Sequence, residues 1–410
     1  VHDRPIVRHV DDSIARVVCG REQIMRRARG YAPLPIHISH DDGEDGGAVL
    51  GVGAHLKNAV SLSAPSGILI GQHIGDLETE PAYTAFENSV ADLTALHDLQ
   101  PRVAVCDLHP DYLSTQYAHA TGLPVIEVQH HHAHVLSCMA DNELQPPVLG
   151  VCWDGTGLGT DDTVWGGEFL TVHEDVSTFT RRAHLRRFPL PGGDRAVVEP
   201  RRAALGALFA VHGERLFTED TPRRLGFGDQ ELRVLAGMLR GGVNSPLTSS
   251  AGRLFDAVAA LVGLRQRVRF EGQAAMELEF AVTHGVDEQY GFDIDEARDD
   301  AAAIDWGSVL KAITAEMDDG LDVGIIAAKF HNTMAAIITE VACRVGQEWV
   351  LLTGGCFQNR CLSERAILRL RAAGLRPYLH QRVPPNDGGI ALGQVVAAMG
   401  RSNRVSGRSR

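Results

Sequence analysis

The stretch Val148-Leu149-Gly150-Val151-Cys152-Trp153-Asp154-Gly155-Thr156-Gly157-Leu158-Gly159 decides the fold, because it opens the second round of a plan that the chain has already run once. A short apolar run bounded by glycines reads as a buried strand, here delivering one carboxylate into a glycine-rich turn. Downstream the pattern predicts a strand at Thr163 to Val172, helices near 253–263, 273–283 and 322–346, a strand at Trp349 to Thr353 and a final helix from 388. Upstream it predicts strands at Ala48 to Val52, Val60 to Leu62 and Gly67 to Ile70, then a helix over 81–98 with Tyr83, Phe86, Val90, Leu93 and Leu96 on one side. Strands at Val103 to Cys106 and Val125 to Val128 complete the first round.

Two βββαβα-like halves predict an α/β fold with the layout of the actin, Hsp70 and sugar-kinase superfamily, two RNase H-like domains with nucleotide between them. The expected boundaries are a connector over 1–45, a first lobe over 46–145 and a second lobe over 146–400, with a disordered tail at 401–410. Residues 1–45 offer one strand, Ile14 to Val18, and an acidic turn from Asp41 to Gly47 closes them off. Arginine, proline and glycine clusters over 174–250 predict a largely helical insertion in the second lobe. The acidic stretch from Asp293 to Asp305 reads as a solvated face.

Working outward, the first round ends in Val128-Gln129-His130-His131-His132-Ala133-His134. Four histidines fall at a helix start, and side chains four apart share a helix face, so His130 and His134 form the pair that can reach one ion. Two nitrogens leave a divalent ion short of its usual coordination; Asp154 and Asp387, both expected at strand ends in glycine-rich turns, are the candidates to complete it. The competing reading is a solvated or hydrogen-bonded surface cluster, which His131 and His132 keep.

Leu351-Leu352-Thr353-Gly354-Gly355-Cys356-Phe357-Gln358-Asn359 places glycines between a strand and a helix, where backbone N–H groups can cradle phosphate, with Asn359 positioned for a ligand hydrogen bond. Tight-turn geometry explains either glycine turn alone; the pair favours nucleotide. No Walker A sequence, Rossmann fingerprint or Gly-x-Ser-x-Gly elbow is present, which disfavours P-loop hydrolysis, nicotinamide chemistry and serine esterase chemistry. Cys356 sits at the loop, where a helix N-terminus lowers a thiol pKa, yet an inert thiol is the favoured reading.

Across 410 residues, 44% hydrophobic and 22% charged residues describe an ordinary globular chain, and a net charge of −13 argues against nucleic acid as the main partner. Seven cysteines, none spaced Cys-x-x-Cys, fit neither a disulfide framework nor a zinc ribbon, so a reducing cytoplasm is expected. No apolar run reaches the roughly 20 residues that span a bilayer, so no membrane partner is expected. Val1 in place of Met reads as a fragment or processed chain.

Long motifs carry a family resemblance. His2-Asp3-Arg4-Pro5-Ile6-Val7, Arg26 to Pro33, Gly71-Gln72-His73-Ile74-Gly75-Asp76-Leu77, Asp107-Leu108-His109-Pro110-Asp111-Tyr112, the histidine stretch, Asp154 to Gly159, Glu271-Gly272-Gln273-Ala274-Ala275 and Asn386-Asp387-Gly388-Gly389 resemble the C-terminal half of the HypF carbamoyltransferases of nickel–iron hydrogenase maturation. That resemblance implies a TsaD-like, actin-like fold. It also implies that His130, His134, Asp154 and Asp387 hold one divalent ion, iron or zinc. Gly354, Gly355 and Asn359 would lie on the nucleotide loop with Gly155, Thr156 and Gly157, and Ser249, Gly252 and Gly272 near the nucleoside. For Lys57, a phosphate or carbamoyl contact and an ordinary surface position both stay open.

The implied reaction passes a carbamoyl group from carbamoyl adenylate, made from ATP by a YrdC-like domain, to the C-terminal cysteine of HypE, giving the thiocarboxamide precursor of cyanide. The acylphosphatase, zinc-finger and YrdC-like regions of the family are not matched, so the chain is expected to carry the transfer site, residues 1–45 connecting from the end of a YrdC-like region. Alternatives are an O-carbamoyltransferase acting on a small hydroxylated metabolite and a non-catalytic nucleotide-binding scaffold for HypE.

Overall fold

The computed structural model describes residues 3, 10–38, 47–295 and 301–406, with side chains through 400. The chain forms two compact units. Unit 1 comprises Val1–Pro146, Val172–Phe179 and Tyr378–Arg410; unit 2 comprises Pro147–Thr171 and Thr180–Pro377.

Unit 1 begins with β1 (Ile14–Val18), β2 (Arg21–Arg26) and β3 (Pro35–Ile36), followed by β4 (Ala48–Gly51), β5 (Ser61–Ala64), β6 (Gly67–Ile70) and α1 (Glu80–His97). It continues with β7 (Pro101–Asp107), α2 (Leu113–Ala120), β8 (Val125–Val128) and α3 (His130–Asp141). Six strands form one sheet in the order β3-β6-β5-β4-β7-β8. The pairs β4·β5 and β5·β6 are antiparallel; β4·β7 and β7·β8 are parallel, with α1 crossing over from β6 to β7 and α2 from β7 to β8. Thr79 caps α1 by accepting from Ala82 N, and Phe86, Val90 and Leu93 bury its inner face. Leu96, expected on that face, is 60% exposed because it lies in the last turn, beyond the sheet's cover.

Unit 2 runs through β9 (Val148–Leu158), β10 (Val164–Val172), β11 (Phe179–Leu185), β12 (Phe188–Pro189), α4 (Arg195–Val198), α5 (Pro200–His212), α6 (Thr221–Arg224) and α7 (Asp229–Gly241). Then come β13 (Leu247–Thr248), α8 (Ala251–Leu261), α9 (Gln273–Phe280), β14 (Asp293–Asp295), β15 (Ala302–Asp305), α10 (Gly307–Asp318), α11 (Val323–Val345), β16 (Trp349–Thr353), α12 (Arg360–Ala372) and β17 (Arg376–Leu379), and in unit 1 again α13 (Ile390–Ser406). The main path of the second sheet is β14-β15-β11-β10-β9-β16-β17. Its β11-β10-β9-β16-β17 segment repeats, strand for strand, the β6-β5-β4-β7-β8 order of the first sheet. The duplicated α/β plan is therefore present in the topology.

Several boundaries differ from the sequence reading. The second lobe does not continue to 400: the chain re-enters unit 1 at Tyr378, and α13 packs on α3 and the first sheet. Gly393 makes this possible, since a Cβ there would stand 1.8 Å from the Ala133 carbonyl oxygen. Ser61 Oγ donates to the Ala391 carbonyl, while Gln394 accepts from Gly53 N and donates to Gly53 O. The helix also covers 401–406 of the expected tail; 407–410 lie outside the described residues.

The insertion is helical only from α4; its first part is strand β11, whose carbon-rich face joins the sheet core through Ala183 and Leu185. In the connector, β1 and β2 form a hairpin and β3 joins the first sheet. The acidic stretch forms the antiparallel edge pair β14·β15, with Ile304 fully buried; 296–300, most of the Asp41 to Gly47 turn and the His2 to Val7 motif apart from Asp3 lie outside the described residues.

Candidate functional site

Strand β8 delivers its apolar end into α3 with one intervening residue. Gln129 is extended, at φ −61° and ψ 133°, and its side-chain oxygen accepts from His132 N at 2.9 Å, so the helix starts at His130. One turn on, the His134 ring meets it edge-on, with ring centroids 5.0 Å apart. Both imidazoles are fully buried. Asp387 opens the short 3-10 turn before α13, a turn fixed by Asn386 Oδ1 accepting from Gly388 N at 3.0 Å. Its Oδ1 lies 3.7 Å from His130 Nε2 and 3.6 Å from His134 Nε2.

Those separations are too long for hydrogen bonds. They suit donors arranged around an ion, whose ligand atoms at about 2.0–2.1 Å in a tetrahedron stand roughly 3.3 Å apart. Each of the three residues offers a ligand atom within 4.8 Å of the others'. Nitrogen–oxygen chemistry of this kind suits zinc or iron(II).

A residue that the motif reading left without a role completes the picture. Asp107, at the end of β7 and paired with Val128 across the parallel ladder, brings Oδ2 to 2.7 Å from His130 Nδ1, with both side chains buried. Its other oxygen accepts from His109 N at 3.0 Å. A carboxylate on Nδ1 places the imidazole proton there and turns Nε2 toward Asp387, the arrangement that metal-binding histidines commonly use. The sequence signal was the register: Asp107 is the last residue of a strand that neighbours the one feeding the histidines.

His131 and His132 are not surface residues. They are 0% and 3% exposed; Gln129 Nε2 lies 3.1 Å from His131 Nδ1, and His132 packs on the Phe179 ring. Lys57 takes φ +47° between β4 and β5, its N–H donating to Asp76 Oδ1, and its carbonyl oxygen would lie 3.6 Å from a Cβ on Gly388.

In unit 2 Asp154 is not in a turn: it lies inside β9, whose hydrogen bonding runs through Gly155, Thr156 and Gly157 to Leu158 before Gly159 N donates to Thr163 O and closes the hairpin. Asp154 is 5% exposed, and its Oδ1 accepts from Gly155 N at 2.7 Å and Gly355 N at 3.0 Å. Gly354 follows β16 at φ +92°, where a Cβ would meet the Trp153 carbonyl oxygen at 2.3 Å, so close backbone packing accounts for that glycine.

The N-terminus of α12 is filled from within the protein. Glu279 Oε1 accepts from Arg360 N and Cys361 N, and Asn359 Oδ1 accepts from Leu362 N at 2.9 Å. The Asn359 amide nitrogen lies 2.9 Å from His331 Nε2, so this side chain serves as a helix cap and a histidine partner. Burial pushes the Cys356 thiol well above its ordinary pKa, with the Asp154 carboxylate adding to the effect, which removes thiolate character.

Ser249 donates to buried Glu168. Ser250 Oγ reaches the carbonyls of Asp154 and Gly155 and caps α8 by accepting from Arg253 N. Gly252 is needed where α8 meets β9, because a Cβ there would stand 2.9 Å from Gly155 Cα. Gly272 takes φ +77° as the residue before α9.

Known proteins resemble the chain along both units. The family described as "HypF Kae1-like domain" matches residues 44–141, and "Carbamoyltransferase, Kae1-like Domain, second subdomain" matches residues 150–394. A carbamoyltransferase HypF from Synechocystis is 41% identical over 97% of this chain and 52% of its own length, so the chain spans about half of that relative. A carbamoyltransferase HypF homolog from Cupriavidus necator is 38% identical over 87% of this chain and 92% of its own. A crystal structure of full-length HypF in a phosphate- and nucleotide-bound form superposes with a TM-score of 0.91 at 40% identity, covering 97% of this chain and 62% of that one. The chain belongs to the HypF carbamoyltransferase family.

Proposed function

We propose that the chain is a carbamoyltransferase that moves a carbamoyl group from carbamoyl adenylate to the C-terminal cysteine thiolate of HypE. The thiolate sulfur attacks the carbamoyl carbon, the bond from that carbon to the phosphate oxygen breaks, and AMP leaves with the electron pair. A thiocarboxamide results. Family membership supports this reading, and the observation that carries it is the convergence of His130, His134 and Asp387 on one buried point, backed by Asp107.

These three residues would hold an iron or zinc ion, with Asp154 of unit 2 as the proposed fourth ligand. A bound ion supplies Lewis acidity toward developing negative charge. The protein's own part is to fix His130 in one tautomer, keep His134 dry and hold Asp387 on a turn that Asn386 rigidifies. No protein nucleophile is needed, in keeping with the raised pKa of Cys356.

The nucleotide is proposed to lie along Gly155, Thr156, Gly157, Ser249, Gly252, Gly272, Gly354, Gly355 and Asn359, with Lys57 as a further contact. Adenylation is assigned in this reading to a YrdC-like domain. Seven cysteines, none spaced Cys-x-x-Cys, support a reducing compartment, and the cytoplasm is proposed. Among the described residues no helix is long and apolar enough to cross a membrane.

The test supplies the chain with HypE and either carbamoyl adenylate, or ATP and carbamoyl phosphate, and reads HypE by intact mass. Carbamoylation with the first supply alone is expected; adding a YrdC-like domain should rescue the second. Transfer to a small hydroxylated metabolite instead of HypE would favour O-carbamoylation, and nucleotide binding without transfer would leave a scaffold.

A further inference from the structure

With the α12 terminus occupied by Glu279 and Asn359, and Gly355 N donating to Asp154, several backbone donors around the glycine turn are engaged within the protein. A different donor is left over. Arg253, in the first turn of α8, is 3% exposed, and its Nη2 pairs with Asp256 at 2.9 Å. Its Nε and Nη1 are buried and have no hydrogen-bond partner among the described residues. A guanidinium is a pure donor, and leaving its N–H groups buried without acceptors is costly, so natural structures keep such a group where something else completes it.

The surroundings define what that is. The Cβ side of Gly155 faces this guanidinium: a Cβ built there would be in van der Waals contact with Arg253 Nη2, the nitrogen that Asp256 holds, and with Glu271 Oε1, each at 3.7 Å. Gly155 is partly exposed and has no side chain, so a ligand can approach the backbone closely there. The N-terminus of α8, capped by Ser250, adds its dipole in favour of negative charge. The fork of an Arg matches two oxygens of a phosphoryl group better than any single-point acceptor.

We propose that Arg253 is the phosphate-recognition residue of unit 2, binding a phosphoryl oxygen of a nucleoside monophosphate moiety placed against Gly155. This rests on the nucleotide reading above and names the group within it that reads the phosphate. Asp256 and Glu271 flank the guanidinium, so their carboxylates favour a phosphoryl group of low charge, a monoanionic mixed anhydride over a monoester dianion.

The test is calorimetric binding of adenosine and AMP to the full chain, comparing wild type with Arg253→Gln, Arg253→Lys and the double variant R253Q/D256N. The double variant removes both charges of the buried pair, so one folded comparator is available if the single Gln variant does not fold. The wild type should bind AMP more tightly than adenosine, and that ratio should fall about ten- to hundredfold in the Gln variants, adenosine affinity staying near wild type. Lys should restore part of it. Wild-type binding with an unchanged ratio in the variants overturns the inference alone, making Arg253 only a partner of Asp256. A wild type that binds neither ligand overturns the nucleotide reading and the inference with it.

Discussion

Unit 1 and unit 2 share a strand order but build their sites from different materials. In unit 1 the candidate site is made of side chains, His130, His134 and Asp387, carried on α3 and the turn before α13 and steadied by one buried carboxylate. In unit 2 the glycine-rich segments are mostly engaged with the protein itself: Gly354 with Trp153, Gly252 with Gly155, Asn359 with α12 and His331. The difference teaches that one repeated fold can carry a preorganised cluster of candidate ligands in one copy, while in the other the same kind of sequence signal, glycines at a strand end, largely serves close packing.

The sharpest way to break this contrast is to remove a ligand. His134→Ala should lower affinity for zinc or iron(II) by more than about 100-fold, measured by metal content after dialysis, while the equivalent loss from Asn359→Ala should be nil. Equal metal content in His134→Ala would remove the side-chain site from unit 1. Next in size is Asp107→Asn, which keeps the shape but alters the partner of His130 Nδ1; about 10- to 100-fold weaker metal binding is expected, with the fold intact by circular dichroism.

For unit 2, Gly354→Ala probes packing. A Cβ at φ +92° and 2.3 Å from a carbonyl oxygen should cost about 2–4 kcal/mol in urea unfolding, with metal content falling less than in His134→Ala.

A further, comparable effect is pH-dependent. Burial lowers the His331 pKa to about 4, outweighing the bond from Nδ1–H to the Ala327 carbonyl, which favours the charged ring; Nε2 faces the Asn359 amide. The unfolded histidine binds its proton near pH 6.5, so between there and about pH 4 the unfolded state holds more protons and stability falls as pH falls. The loss from this ring should reach up to about 3 kcal/mol, and His331→Gln should remove that part of the slope, leaving the part that His73 and His380 contribute. A flat wild-type profile would mean that the ring titrates freely in the fold. Smallest of all, Cys356→Ser should leave transfer within about twofold, since a thiol held protonated by burial takes no part; a carbamoyl group trapped on Cys356 would reverse that.

How much of this was legible beforehand follows from what each signal depends on. The duplicated strand order could be read because apolar periodicity is local, and the His130/His134 pair because i,i+4 spacing fixes a shared face. Asp107 was missed as a partner: its role arises from the parallel register of β7 with β8, a contact between segments about twenty residues apart. The membership of α13 in unit 1 was equally hidden, since it depends on Gly393 allowing two backbones to touch. Arg253 was passed over for its glycine and serine neighbours, because an orphaned buried donor has no signature until its surroundings are seen.

The central claim is that the unit 1 constellation is a metal site on which carbamoyl transfer depends. It is tested most directly by stripping the chain with chelator, adding back zinc or iron(II) in steps, and measuring bound metal and carbamoylated HypE in the same samples with carbamoyl adenylate supplied. The account predicts that product rate rises in proportion to bound metal, saturates at one ion per chain and stays at background in His134→Ala. Full transfer by the stripped chain, or metal bound at wild-type level by His134→Ala, would contradict it.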